Sequence, residues 1–435
     1  MFGIFAAGQG GVGQAIARNL SWLLASKGVV AILSLAYLAI ATRTLGVTNF
    51  GRFALIVAAA QALTAFVAFE TWQVLVQYGS RHVQSRDNRA LAALLRGCAA
   101  IDAVSAVLGV AAAAVILAFW HEELGIGATL QRATLIYAAA QLLSIRSTPI
   151  GMLRVRDRFS LAALVDGVTP VVRLVGAALV AIFHPTVQAF LAVWGLAEVL
   201  TAIAYWCVLA KTGDLRLLFS RDVGRVGLRR ENPGIVRFLI NGSLLSSLNL
   251  STKQVPLLLT GAMVGTASAG AFRLASQFSQ ALTKLSQLIS RAAFPEIVRA
   301  VRRDGVREAG AIFRTSLRYS GGVAIGIFLV IVLLGRPLLS LMGPGFGPAY
   351  PILLWLAAAG CVDLITVGFE SLLLAAHRAG WALAARLLAT VTMVVGALAL
   401  APVAGATGIA AAVLAYSLVV ALLLGGVVLR LTART

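Results

Sequence analysis

Apolar residues run along this chain in blocks of about 20, the length of helix that crosses a hydrocarbon core. Short segments that collect the charges separate the blocks. The pattern predicts about twelve spans, near 20–41, 53–79, 97–120, 133–153, 160–183, 187–210, 238–260, 271–293, 316–334, 350–375, 380–401 and 408–429. Inside the blocks the apolar positions are continuous rather than alternating. That predicts helices and excludes a transmembrane β-barrel in practice. The expected fold class is an all-α polytopic membrane protein.

The pattern also repeats. A shift of 219 residues lays GVTNFGRFALIVAAAQALT (46–64) on GTASAGAFRLASQFSQALT (265–283). Gly46 then meets Gly265, Gly51 meets Gly270, Phe53 meets Phe272, and the tetrapeptide QALT recurs. Further along, a shift of 220 lays Val175-Gly176-Ala177 on Val395-Gly396-Ala397. The shift moves the first six spans onto the last six. An even number of spans preserves orientation, so the two homologous six-helix halves form a parallel repeat about an axis along the membrane normal. The expected organisation is a cytoplasmic or interfacial segment at 1–19, an N-lobe at 20–210, a basic cytoplasmic linker at 211–237, a C-lobe at 238–430 and a tail at 431–435.

Composition fits this division. The chain is 60% hydrophobic and 12% charged, against about 25% charged in soluble domains. Its net charge of +20 would suit a nucleic-acid partner, but the placement of that charge argues otherwise. Between spans predicted to be linked outside, the basic residues are Arg43, Arg52, Arg132 and Arg336. Most of the others lie in the N-terminal segment, the alternate loops and the tail. That asymmetry is the positive-inside rule and predicts two cytoplasmic termini. The charge is then an orientation signal and an attractor for anionic membrane lipids, with no nucleic-acid partner. The expected outer loops leave no room for a folded catalytic domain.

Cysteines 98, 207 and 361 all fall in spans and the histidines are scattered at loop positions. Neither a metal site, a disulfide nor a cofactor is expected. Residues 1–19 lack the basic start and continuous apolar run of a cleavable signal. Gly8-Gln9-Gly10-Gly11-Val12-Gly13 matches the dinucleotide fingerprint G-x-G-x-x-G, but a span begins by residue 20 where a βαβ unit would have to follow. No acid lies about 20 positions on, since the first in the chain is Glu70. A flexible or interfacial segment is the better reading. No set of catalytic groups is apparent.

The unusual chemistry lies inside the spans. In FRLASQFSQALTKLSQLISR (272–291), Arg273, Gln277, Gln280, Lys284, Gln287 and Arg291 fall within about 40° of one line on a helix. Span 7 carries Gly242, Ser246, Asn249, Lys253, Pro256 and Thr260 at the same rhythm, with Pro256 favouring a kink. These polar faces predict either a hydrogen-bonded seam between helices or a wet cavity between the halves. The cavity is preferred, because neither span contains an acid to balance the lysines. The expected substrate-binding residues are Lys253, Lys284, Arg273, Asn249, Gln277 and Gln280, with Arg146 and Arg173 from the first half. Acids in the spans cost about 2.5–3.5 kcal/mol each at mid-bilayer. Glu70, Asp166, Asp363 and Glu370 are therefore candidates for coupling to an ion. With Asp102 and Glu198, the acids are spread over five spans, so no convergent pair is expected.

The stretch Arg43-Thr44-Leu45-Gly46-Val47-Thr48-Asn49-Phe50-Gly51-Arg52-Phe53-Ala54-Leu55 follows R-x-L-G-x-x-x-F-G-x-F-x-L. It resembles the polysaccharide flippases of the multidrug/oligosaccharidyl-lipid/polysaccharide (MOP) exporter superfamily. The resemblance is dense over about 43–64, and the span count and repeat extend it over the chain. It implies a flippase of the bacterial inner membrane rather than an enzyme. Such a protein moves undecaprenyl-pyrophosphate-linked oligosaccharide from the cytoplasmic to the periplasmic leaflet by alternating access, for lipopolysaccharide or exopolysaccharide synthesis. The implied partners are the lipid-linked oligosaccharide and other polysaccharide-assembly proteins, around a functional monomer. The alternatives are a multidrug/cation antiporter of the same superfamily, which would want acids in its cavity, and a membrane-embedded polymerase or ligase, which would want a large outer loop.

Overall fold

The computed structural model describes residues 9–120, 127–220, 231–281, 306–375 and 379–433. The first helix, α1, runs Gln9–Val67 over 59 residues. At 1.5 Å per residue that is about 88 Å, far longer than one bilayer crossing. It therefore folds back on itself at Gly46, whose φ of 70° and ψ of 174° leave the helix for a single residue. A loop was expected over 42–52. Glycine meets no Cβ penalty at positive φ, so one residue makes the reversal and both arms stay helical around it. The segment at 1–19, expected to be flexible or interfacial, is helical from Gln9 onward.

The second arm of α1 stops at Val67 and the crossing resumes through α2 (Thr71–Val74), a π-helical turn at Leu75–Gly79 and α3 (Ser80–Gln84). Then come α4 (Asn88–Trp120), α5 (Ala128–Leu143) and α6 (Ser147–Val155), the last two being one crossing broken at 144–146. The N-lobe closes with α7 (Phe159–Asp166), α8 (Val168–Phe183) and α9 (Val187–Lys211), followed by the short α10 (Arg216–Phe219). The C-lobe holds α11 (Ile235–Met263), α12 (described over 266–281), α13 (Val306–Ser340), α14 (Ala349–Ala375) and α15 (Ala379–Ala433). Like α1, α15 doubles back at one glycine, Gly405, with φ 59°. Among the described residues seven helical stretches are long and apolar enough to cross a membrane, and two of these are the doubled ones. The remaining crossings of the two six-helix halves are the broken α5–α6 and the helices α11 and α12.

The repeat is visible in the backbone. Gly46 and Gly265 are equivalent by the shift and both turn their hairpins at positive φ, 70° and 112°. Gly51 and Gly270, also equivalent, touch each other. A Cβ built on Gly270 would lie 3.1 Å from the Gly51 nitrogen and 2.5 Å from the Val47 carbonyl oxygen. A Cβ on Gly51 would lie 1.7 Å from the carbonyl oxygen of Thr266. Equivalent residues meet only on the axis that relates them, so this contact marks the pseudo-two-fold. Small residues that let backbones close in are how helices associate where lipid is as apolar as the side chains.

Around that contact the two halves are sealed at the end predicted to be periplasmic. Phe50 packs edge-on to Phe346, with centroids 6.1 Å apart. Arg43 Nε donates to the Leu341 carbonyl at 2.8 Å. One apolar core runs from here through both lobes and includes Phe53, Phe190, Trp194, Phe272 and Phe278.

Candidate functional site

Below the sealed end, four charges gather on one tyrosine. Glu198, on α9, is almost fully buried, and its carboxylate meets Arg173 Nη2 at 2.7 Å and Arg146 Nη1 at 2.7 Å. Arg173 comes from α8 and stacks over the Trp194 ring at 5.2 Å from its centroid. Arg146 comes from the break between α5 and α6 and its side chain is 36% exposed. From the C-lobe, Arg273 on α12 comes close enough to Arg173, Tyr37 and Tyr137 to interact with them electrostatically. The buried Tyr137 feels all four charges, Arg146, Arg173, Arg273 and Glu198. Its hydroxyl donates to Gln141 Oε1 at 3.3 Å.

The charges do not cancel. Glu198 is one carboxylate shared by two arginines, and among the described residues no carboxylate pairs with Arg273. Its partner is its own helix neighbour Gln277, whose amide oxygen accepts from Arg273 Nη2 at 3.0 Å and Nε at 3.3 Å. Among the described residues the cluster thus carries two positive charges in excess, which are tolerable at membrane depth only against water or an anion.

The two helix breaks lie beside this cluster. At about 1.5 Å per residue, the 16 residues of α5 put the second break about 24 Å along its crossing. Non-helical backbone at that depth must be buried in protein or line a cavity, and both conditions hold. Asp102 on α4 ties the breaks together. Its carboxylate accepts from Thr71 Oγ1 at 2.8 Å, from Thr148 Oγ1 at 2.6 Å and from the Thr148 backbone N–H at 3.1 Å. The last bond caps the N-terminus of α6 from another helix, satisfying a donor that α6 itself leaves open. Ser147 Oγ accepts from the Trp72 N–H at 3.0 Å, joining the start of α2 to the start of α6.

Between the breaks is a cavity of about 240 Å³. Glu70, Trp72, Gln141, Ser144, Arg146 and Ser147 are in its wall, with Asp102. Glu70 and Asp102 thus converge, where the sequence predicted scattered acids. The reason is tertiary: α4 runs antiparallel to the preceding crossing, so residues equally far from the intervening turn come level.

The other predicted site residues separate. Lys253 and Gln280 line another cavity, of about 210 Å³, in the C-lobe. Asp363, on α14, lines the same cavity. Gln280 Nε2 donates to Ser276 Oγ at 2.7 Å. A second polar line on α11, one residue round from the predicted stripe, is an inter-lobe seam. Gln254 Nε2 donates to Gln61 Oε1 at 2.9 Å, Ser247 Oγ donates to the Ala65 carbonyl, and the Glu70 N–H donates to Ser243 Oγ at 3.2 Å. Asp166 is exposed at the end of α7 and accepts from the Tyr205 hydroxyl at 2.6 Å. Lys284, Gln287 and Arg291 lie outside the described residues, as do the side chains of Asn249 and Glu370. The residues that sequence reasoning left out of the site are Glu198, Tyr137, Gln141 and Trp72. One signal was available for Glu198: it and Arg173 lie equally far, to within a residue, from the turn at Pro185.

Two six-helix halves around a pseudo-two-fold form a fold that this chain shares with solved structures of the MOP superfamily. A solved structure described as the inward-facing conformation of a multidrug resistance MATE family transporter of that superfamily superposes with a TM-score of 0.73, at 14% identity, over 95% of this chain and 99% of that one. Lipid II flippase MurJ in an inward closed conformation gives 0.69 at 11% identity, over 93% and 87%. Residues 16–301 match the family described as "Polysaccharide biosynthesis protein", and the chain belongs to that family. It is 26% identical over 343 residues to Inner membrane protein YghQ of Escherichia coli (strain K12), covering 78% of this chain and 95% of that protein.

Proposed function

We propose that the chain is a flippase for lipid-linked oligosaccharide, carrying undecaprenyl-pyrophosphate-linked units from the cytoplasmic to the periplasmic leaflet of the bacterial inner membrane. The observation that carries this reading is the uncompensated Arg273 beside the Arg146–Glu198–Arg173 group. A pyrophosphate is a compact dianion or more, and planar guanidinium forks match its oxygens in pairs. A cation exported by a drug antiporter would be repelled from the same place. The sealed end at Gly51 and Gly270 supports a resting state open towards the cytoplasm. The lobes 20–210 and 238–430 then rock about the linker 211–237, exposing the arginines to each side in turn. The lipid tail stays in the bilayer while the head group crosses. Membership of a polysaccharide biosynthesis family and the fold shared with a lipid II flippase support the substrate class.

Cells lacking the chain should accumulate lipid-linked repeat units that an enzyme added outside the membrane cannot reach. Units that accumulate on the outer leaflet instead would assign the chain to a step after flipping, such as polymerisation, and would sink this reading.

A further inference from the structure

The cavity between the helix breaks is a different environment from the arginine cluster it adjoins. Its wall contains Glu70 and Asp102, Gln141, Ser144 and Ser147, and two large aromatics, Phe69 and Trp72. Trp72 is fixed on two sides. Arg154 stacks on the indole at 4.1 Å from the ring centroid, and its Nε1 donates to Glu70 Oε2. A held aromatic plate next to an amide and a carboxylate matches the two surfaces of a pyranose. The C–H face of the sugar lies on the ring and the hydroxyls divide among the polar groups. The volume of about 240 Å³ suits one ring.

The cavity also opens onto the charges. Arg146 is in its wall and pairs with Glu198, and Gln141 is in its wall and accepts from Tyr137. An anion held by Arg173 and Arg273 would therefore have its next chemical group at the mouth of this cavity.

We infer that the N-lobe cavity walled by Trp72, Glu70, Gln141 and Ser147 is a monosaccharide subsite that takes the sugar attached directly to the pyrophosphate. It selects an uncharged hexose or acetamido-hexose over a uronic acid. This rests on the flippase reading. Selectivity follows from charge: the wall offers two carboxylates, and its only arginine is already paired to Glu198. A sugar carboxylate would meet like charges in a place of low dielectric.

The test is binding of the full-length purified protein to three probes: polyprenyl pyrophosphate alone, the same lipid carrying one N-acetylhexosamine, and the same lipid carrying one hexuronic acid. The hexosamine lipid should bind about tenfold more tightly than the bare lipid, equivalent to about 1.4 kcal/mol. The uronic acid lipid should show no such gain. In Gln141→Ala and, separately, Trp72→Leu, the ratio between hexosamine and bare lipid should fall to about twofold, the loss of one or two neutral contacts. Measuring ratios in two variants on different helices separates loss of the subsite from loss of fold. An undiminished ratio in both variants, or an equal gain for the uronic acid lipid, would overturn the subsite alone. Failure of the wild-type protein to bind any of the three would overturn the subsite together with the flippase reading.

Discussion

Replacing Arg273 by Glu should abolish surface polysaccharide while leaving the protein folded and present at normal levels. A charge-assisted contact to a pyrophosphate is worth about 1.5–3 kcal/mol, and removing it alone costs roughly 10- to 100-fold. Reversing the charge adds repulsion, so transport should fall by about 100-fold or more. Stability should follow the opposite logic. Arg273 has no carboxylate partner among the described residues, so Arg273→Gln relieves an uncompensated charge and should not lower the melting temperature. Arg173→Gln leaves Glu198 buried with only Arg146, and breaking a buried pair in this way costs about 3–5 kcal/mol. Arg273→Lys keeps the charge but loses the fork, and should transport at an intermediate rate. Melting curves in detergent and surface-polysaccharide assays on the same four variants check this. A normal level of polysaccharide in Arg273→Glu would remove the arginine from the pathway.

The second large effect is structural. Gly51→Ala places a methyl 1.7 Å from the Thr266 carbonyl oxygen, and that obstacle is backbone, which cannot swing aside. The lobes must separate at the sealed end, at a cost of about 3 kcal/mol or more. Gly127→Ala serves as the comparison, because its Cβ would meet nothing within 4 Å and its φ is −60°. Gly46→Ala isolates backbone strain from contact. Its φ is 70° with open space around it, so it should cost about 1–2 kcal/mol. The expected order of melting temperatures is Gly127→Ala like wild type, then Gly46→Ala, then Gly51→Ala lowest. Gly51→Ala melting with the wild type would mean that the contact at the pseudo-two-fold is absent from the resting protein.

What the sequence disclosed was set by locality. Span lengths, the all-α class and the repeat depend on residues near one another in the chain, and Gly46/Gly265 and Gly51/Gly270 turned out to be equivalent in backbone and in contact. The turns were harder to place, because a one-residue reversal at Gly46 carries none of the polar, Pro-rich signal of a longer loop. Both helix breaks fall inside expected spans, 53–79 and 133–153, and only the second carries a local mark. Arg146-Ser147-Thr148-Pro149 has a proline in the first turn of α6, where it cannot continue a helix from before 145. Ala68-Phe69-Glu70 has no glycine or proline, and its break is held by partners on other helices, Ser147 and Ser243.

The same limit shaped the site. The cationic stripe reads as a line on an isolated helix, but the packed helix gives its members different neighbours. Arg273 interacts with the N-lobe, and Gln280 turns into a C-lobe cavity beside Lys253. The counter-charge for the arginines came from elsewhere, Glu198 on α9, and an acid from a third helix, Asp363 on α14, lines the cavity that Lys253 lines. Antiparallel hairpins give a rule that would have found Glu198, since residues equidistant from a turn face each other. Tyr137, buried among the four charges, carries no such mark, because its spacing is that of any core aromatic.

The most direct test of transport itself uses the purified protein in sealed liposomes loaded with a polyprenyl-pyrophosphate-linked oligosaccharide. The fraction of lipid accessible to an added, membrane-impermeant sugar-modifying enzyme is followed over time. Wild-type protein should bring essentially all of the lipid into reach, and Arg273→Glu should leave it at the accessible half found in protein-free liposomes. Equal accessibility with wild-type protein, with Arg273→Glu and without protein would contradict the account.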